Sequence, residues 1–144
     1  GFDMDFMRDI IDFQNELGSV ARELKRQNIK PSSYDASDNT EISGWEVEYT
    51  DSPYIEDINP NRIPIYRGAS WGNKRVVLGE DGVLYAVTFR GEDVYEEGQI
   101  VTRTSTKISR VDLSWYVQDE KDPFKDIRGK VRAAAMRAVL QKSS

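Results

Sequence analysis

The apolar residues of this chain recur with two different periods, and the switch between them limits the folds open to it more than any other feature. Between residues 5 and 28, Phe6, Ile10, Phe13, Leu17, Val20 and Leu24 follow one another at steps of four and three, the seam of an amphipathic helix. In the middle the period drops to two. Val83, Tyr85, Val87 and Phe89 alternate with Leu84, Ala86, Thr88 and Arg90, as the residues of a strand face opposite sides of a sheet in turn. After Pro123 the helical period returns in Phe124, Ile127, Val131, Ala134, Ala135 and Ala138. Helix, strands and helix within 144 residues is the pattern of a single α+β domain, 1–144, with an antiparallel sheet of five to six strands and both helices on one sheet face.

Local signals place the elements. Asp3 or Asp5 caps the first helix, Asp5, Asp9 and Asp12 fall early and Lys25, Arg26 and Lys30 fall late, the order the helix dipole prefers. Pro31 ends it, which puts the helix at 4–30. Met7, Ile11 and Ala21 broaden the stripe toward a face suited to docking on a sheet, while Gly18 weakens its middle. Residues 31–61 then read as an acidic loop and a first strand. Ser32 to Thr40, rich in Ser, Asp and Asn, reads as an exposed loop. Trp45, Val47 and Tyr49, alternating with Glu46 and Glu48, read as a half-buried strand with its acids in water.

Residues 62–118 read as antiparallel strands. Arg75 to Gly79 and Val83 to Arg90 flank Glu80-Asp81-Gly82, a strong hairpin signal, and the second of these strands should sit centrally. Gly91 to Gly98 reads as an acidic turn and Gln99 to Thr106 as a strand. Val111, Leu113, Trp115 and Val117 alternate with Asp112, Ser114 and Tyr116, either as a continuation of that strand or as the far arm of another hairpin. Asp122 as cap and Pro123 at the first helical position open a basic amphipathic helix over 122–142.

Charge is polarised along the chain. Pro31 to Asn61 holds eight acids and no Lys or Arg, whereas residues 124–144 carry +5 against a total of -5. The overall sign disfavours nucleic acid and anionic membrane surfaces. No apolar window approaches the length of about 18 residues that spans a bilayer, so the chain reads as soluble, with the cytoplasm favoured and no membrane partner. A cationic helix and an anionic segment attract each other within one molecule or between copies. Arg128, Arg132 and Arg137 are therefore candidate partner-binding residues. Phe13 and Leu17, at the centre of the first seam, fit either the domain core or a partner surface. Trp71, in a predicted loop before Lys74 and Arg75, is a candidate binding hot spot.

With no Cys or His, thiol nucleophiles, disulfides, Cys/His zinc sites and serine-histidine triads are excluded. Asp35, Asp38, Asn39 and Glu41 lack the alternating oxygens and central Gly of a calcium loop, so no metal is expected. The adjacent acids at Glu80 and Asp81, Glu92 and Asp93, Glu96 and Glu97, and Asp119 and Glu120 fall in predicted turns, where neighbours rarely face each other across a substrate. Arg67 after an apparent strand, Thr104-Ser105-Thr106 and Gln118-Asp119-Glu120, in that order, together resemble the pattern of ADP-ribosyltransferases. That resemblance implies nicotinamide adenine dinucleotide as cofactor, with Arg67 on its phosphates and Ser105 supporting the site. It makes Glu120 the group that stabilises the positive charge developing as the glycosidic bond breaks. Such a nucleotide-cofactor enzyme is the alternative. The leading expectation is a non-catalytic protein-interaction or assembly module, an adaptor, chaperone-like or structural component that self-associates, with a protein or homo-oligomer partner and no cofactor.

Overall fold

A computed structural model describes residues 4–54, 70–116 and 121–143. Helix α1 (Met4–Arg26) leads into strands β1 (Ser32–Asp35), β2 (Glu41–Tyr54), β3 (Ser70–Gly79), β4 (Leu84–Glu96) and β5 (Gln99–Arg110), and helix α2 (Lys125–Ser143) closes the fold. The five strands form one antiparallel meander in the order β1-β2-β3-β4-β5. Both helices lie on one sheet face, as the two apolar periods imply. Phe13, Leu17, Ala21 and Leu24 of α1, Phe124 just before α2, and Ile127, Val131 and Ala134 of α2 close with Trp45, Val47, Val76, Leu78 and Leu84 into one buried cluster. At its centre the Phe13 and Phe124 rings stack, centroids 4.5 Å apart and 10° from parallel.

The first helix stops at Arg26, short of Pro31. Asn28, at φ 57°, takes the left-handed conformation, its N–H donates to the Lys25 carbonyl, and the Ile29 N–H donates to the Leu24 carbonyl. This is a Schellman stop, with the expected apolar contact between buried Leu24 and Ile29. Gly18, which weakens the helix in isolation, has a packing reason. A Cβ on Gly82 would lie 2.8 Å from the Gly18 Cα, so the β3–β4 turn crosses α1 where neither chain carries a side chain. Gln14 fastens the crossing by donating to the Gly82 carbonyl at 2.8 Å.

Three local expectations are corrected. Ser32 to Asp35 form an edge strand, not loop, with Tyr34 opposite Ile42. An edge strand needs only one inward row, here half-buried Tyr34 and buried Ala36, so its remaining positions stay polar. In β2 the register slips between Glu46 and Glu48, and a one-residue bulge reverses the faces of everything beyond it. Tyr49 therefore turns away from the core, while Glu48 turns toward α2 and accepts from Lys130 at 3.0 Å. Finally, among the described residues no sixth strand follows β5: Leu113–Tyr116 is a 3-10 turn. The Asp112 carboxylate accepts from the Ser114 N–H and hydroxyl at 3.0 and 2.6 Å, a local bond that competes with strand pairing. Trp115 is left 79% exposed.

The uncovered sheet face is closed by curvature. Val77 and Val87 lie on it and are buried with no helix above them among the described residues. The β1–β2 turn reaches across to β5, where the Ser37 N–H donates to the Thr106 carbonyl and the Thr106 N–H to the Ser37 hydroxyl, both at 2.9 Å. On the same face Arg75 bonds Glu46 at 2.8 Å and lies 4.8 Å above the Tyr49 ring, tying β2 to β3 after the bulge. Burial and the nearby Glu46 charge push the Tyr34 phenol up.

Candidate interaction surface

Much of the cationic charge on α2 is used inside the molecule. Arg128 donates to Glu16 of α1 at 2.7 Å and to Asp122 at 2.8 Å, and lies over the Phe13 ring. Lys130 joins Glu48 and, at 3.2 Å, Asp126; these bonds push its ammonium pKa up. Arg137 reaches the Val47 carbonyl, and Lys142 the Gln27 carbonyl. Phe13 and Leu17, each 1% exposed, belong to the core, which leaves no outer seam at those two positions. Arg132 and Arg137 stand exposed without an ion pair among the described residues, and Arg137 is held to the Val47 carbonyl.

The far half of the sheet differs. Trp71 is not in a loop but in β3, directly opposite Gly91 of β4, which in turn faces Thr104 of β5. A Cβ on Gly91 would fall 2.7 Å from the Trp71 Nε1 and closer still to its ring. The indole thus lies flat on the glycine, half-buried, and fills the row where a side chain is missing. Around it Arg90, Glu92, Arg103, Thr104 and Ser105 line a groove of about 530 Å³. The structure thereby brings together Trp71 and Ser105, two residues the sequence marked for different reasons. Arg67 and Glu120, the other members of the dinucleotide constellation, lie outside the described residues.

Among the described residues, the sheet beyond Ser70 consists of two strands. The last β3 pairing is Ser70 with Glu92, whereas β4 and β5 continue to Glu96 opposite Gln99. The expected acidic turn over Gly91 to Gly98 is thus strand as far as Glu96, and only Glu97 (φ 48°) and Gly98 (φ 78°) form the bend. Positive φ at both central residues is the tight turn that suits twisted strands. Tyr95 and Ile100 face each other across this arm on one side, 63% and 54% exposed. Val101 is exposed on the other side, where Arg103 pairs with Glu96. Asp93 accepts from the Thr102 hydroxyl at 2.7 Å beside the Tyr95 and Ile100 pair.

The outer edge of β5 is also open along the arm. Because Thr106 turns its N–H and C=O outward to Ser37, strand alternation turns those of Thr104, Thr102 and Ile100 the same way. All of β5 from Gln99 to Ser105 is exposed. Sequence reasoning missed this arm because four acids mask it. The signal was there in Val94-Tyr95 and Ile100-Val101, strand-forming pairs that bracket a two-residue Glu-Gly step. Among the described residues, no helix is long and apolar enough to cross a membrane. No protein-family model, curated protein or solved structure matches the chain.

Proposed function

We propose that this chain is a non-catalytic assembly module that binds protein, its own copies included, through the β4–β5 arm. One observation carries this: Tyr95 and Ile100 form a cross-strand pair, each more than half exposed, on a ribbon that runs past the other described strands of the sheet. Inside a domain such a pair is used to hold strands together against a covered face. Here the face is uncovered, and a large aromatic beside a branched aliphatic, rimmed by polar residues, is the composition of a contact centre. The Trp71 groove lies at the base of the same arm and supplies a second aromatic.

The test is sedimentation equilibrium over a wide concentration range, on the unchanged protein and on Tyr95→Ser with Ile100→Ser. The unchanged protein is expected to gain mass with concentration, and the double variant to stay monomeric with an unchanged melting profile. A monomer at every concentration and salt, or association that ignores the arm variant, removes the proposal.

A further inference from the structure

We infer that the surface the arm meets is the outward face of α2 on a second copy, in a head-to-tail contact. The inference rests on the arm being protein-binding and adds which surface receives it. On α2 the inward positions are filled by Ile127, Val131 and Ala134. The opposite side runs Arg132, Met136, Leu140 at i, i+4, i+8, one stripe of a helix. Met136 and Leu140 are each 61% exposed, and nothing approaches within 4 Å of where a Cβ on Gly129 would stand. The stripe is open, apolar and basic.

The arm is the opposite in charge and alike in the rest. Asp93 stands on the Tyr95 and Ile100 side and Glu97 at the tip, while Glu92 and Glu96 stand on the other side with Arg103, the one cation between residues 92 and 103, which is already bound to Glu96. Two arms brought together oppose carboxylates, and two α2 stripes oppose arginines, so each surface repels its own kind. Arm on stripe satisfies both terms, because Tyr95 and Ile100 cover Met136 and Leu140 while Arg132 meets the acidic rim. Side chains directly opposite in a strand pair and four apart on a helix are both separated by about 5 to 6 Å, so the paired rows match in spacing. The two surfaces differ and sit on the same chain, so one contact per pair repeats head to tail into a ring or a filament, whereas two reciprocal contacts would close a twofold dimer.

Complementation of two variants of the full chain tests this. The arm variant is Tyr95→Ser with Ile100→Ser, and the helix variant is Met136→Ser with Leu140→Ser; all four side chains are exposed, and circular dichroism melts verify folding. Each variant alone is expected to lose association by at least about tenfold in dissociation constant. An equimolar mixture is expected to form a dimer and nothing larger, because each pair then has one intact contact and no second. If the arm variant is monomeric but the helix variant assembles like the unchanged protein, the arm meets another surface, on itself or elsewhere, and this inference falls while the proposed function stands. If the unchanged protein never assembles, both fall.

Discussion

Strands β4 and β5 run through two ends of this molecule that have little else in common, one where they continue the sheet beside β3 and one where, among the described residues, they pair only with each other. At the closed end Val76, Val77 and Leu78 are buried on both faces, one beneath the helices and one inside the curl. At the open end Tyr95, Ile100 and Val101 stand in solvent on a two-stranded ribbon. Backbone pairing is continuous, so hydrogen bonding alone does not distinguish them. The difference lies in what lies against each face, and it separates apolar residues buried in the fold from apolar residues of like size left in solvent.

The sharpest way to break that contrast is to truncate one residue from each. Phe13→Ala removes a ring that is 1% exposed and stacked on Phe124, and is expected to lower stability by about 3 to 5 kcal/mol in urea unfolding. Tyr95→Ser is expected to stay within about 0.5 kcal/mol of the unchanged protein. Equal losses at both ends would mean that the arm packs in solution against something in its own chain.

At the border between the ends, Gly91→Val brings a residue with better strand propensity to a site with no room for it. The new side chain collides with the Trp71 indole, and overpacking of this kind is expected to cost about 1 to 3 kcal/mol. Trp71 moves off the groove floor, which a shift in tryptophan emission checks. An unshifted spectrum with unchanged stability would show that Trp71 does not rest on Gly91.

Arg128 tests the closed end from its rim. It bridges α1 and α2 through Glu16 with its side chain 21% exposed. Arg128→Met keeps the stem over Phe13 while deleting the charge, and is expected to cost about 1 to 2 kcal/mol, mostly because Glu16 loses its partner. Stability against pH follows the same division. Bonds from Arg26 and Gln27 hold the Glu23 carboxyl down to about 2, from an ordinary 4.5, and the bonds to Thr40 and Ser114 lower Asp38 and Asp112. A carboxyl depressed by folding stabilises above its unfolded pKa and ceases to do so as pH falls through the folded one, so unfolding midpoints should decline below pH 4.5. Burial raises the Tyr34 and Tyr116 phenols above 10; their contribution is present below pH 10 and is lost above it. A urea midpoint that stays level from neutral pH down through acid would contradict the carboxylate assignment.

The closed end was legible in the sequence because its signals are periodic. Phe13, Leu17, Phe124 and Ile127 state their burial by spacing alone, and Gly82 marks the turn that lies against α1. The errors fall where a single backbone event reverses a pattern. The bulge after Glu46 exchanges the faces of Glu48 and Tyr49, and the Asp112 carboxylate stops β5 before an alternation that looked like strand. The arm was hidden for a different reason. A strand that covers no core has no need of apolar alternation, so Glu92, Asp93, Glu96 and Glu97 passed for a turn although pairing continues to Glu96. Arg128 and Arg137 were marked for their charge, and charge does not reveal whether the partner is a neighbouring helix or another molecule.

The smallest effect expected is at the arm's tip, and it separates order from charge. Glu97 holds φ 48°, a conformation that a long side chain tolerates poorly and asparagine tolerates well. Glu97→Asn relieves that strain and is expected to add about 0.5 kcal/mol, seen as slower hydrogen exchange at the amides flanking the turn. The substitution also removes a carboxylate from the rim proposed to face Arg132 of a second copy. If order in the arm limits assembly, association strengthens at all salt concentrations. If the acidic rim limits it, association weakens at low salt and converges with the unchanged protein at high salt, where screening has already cancelled the lost charge.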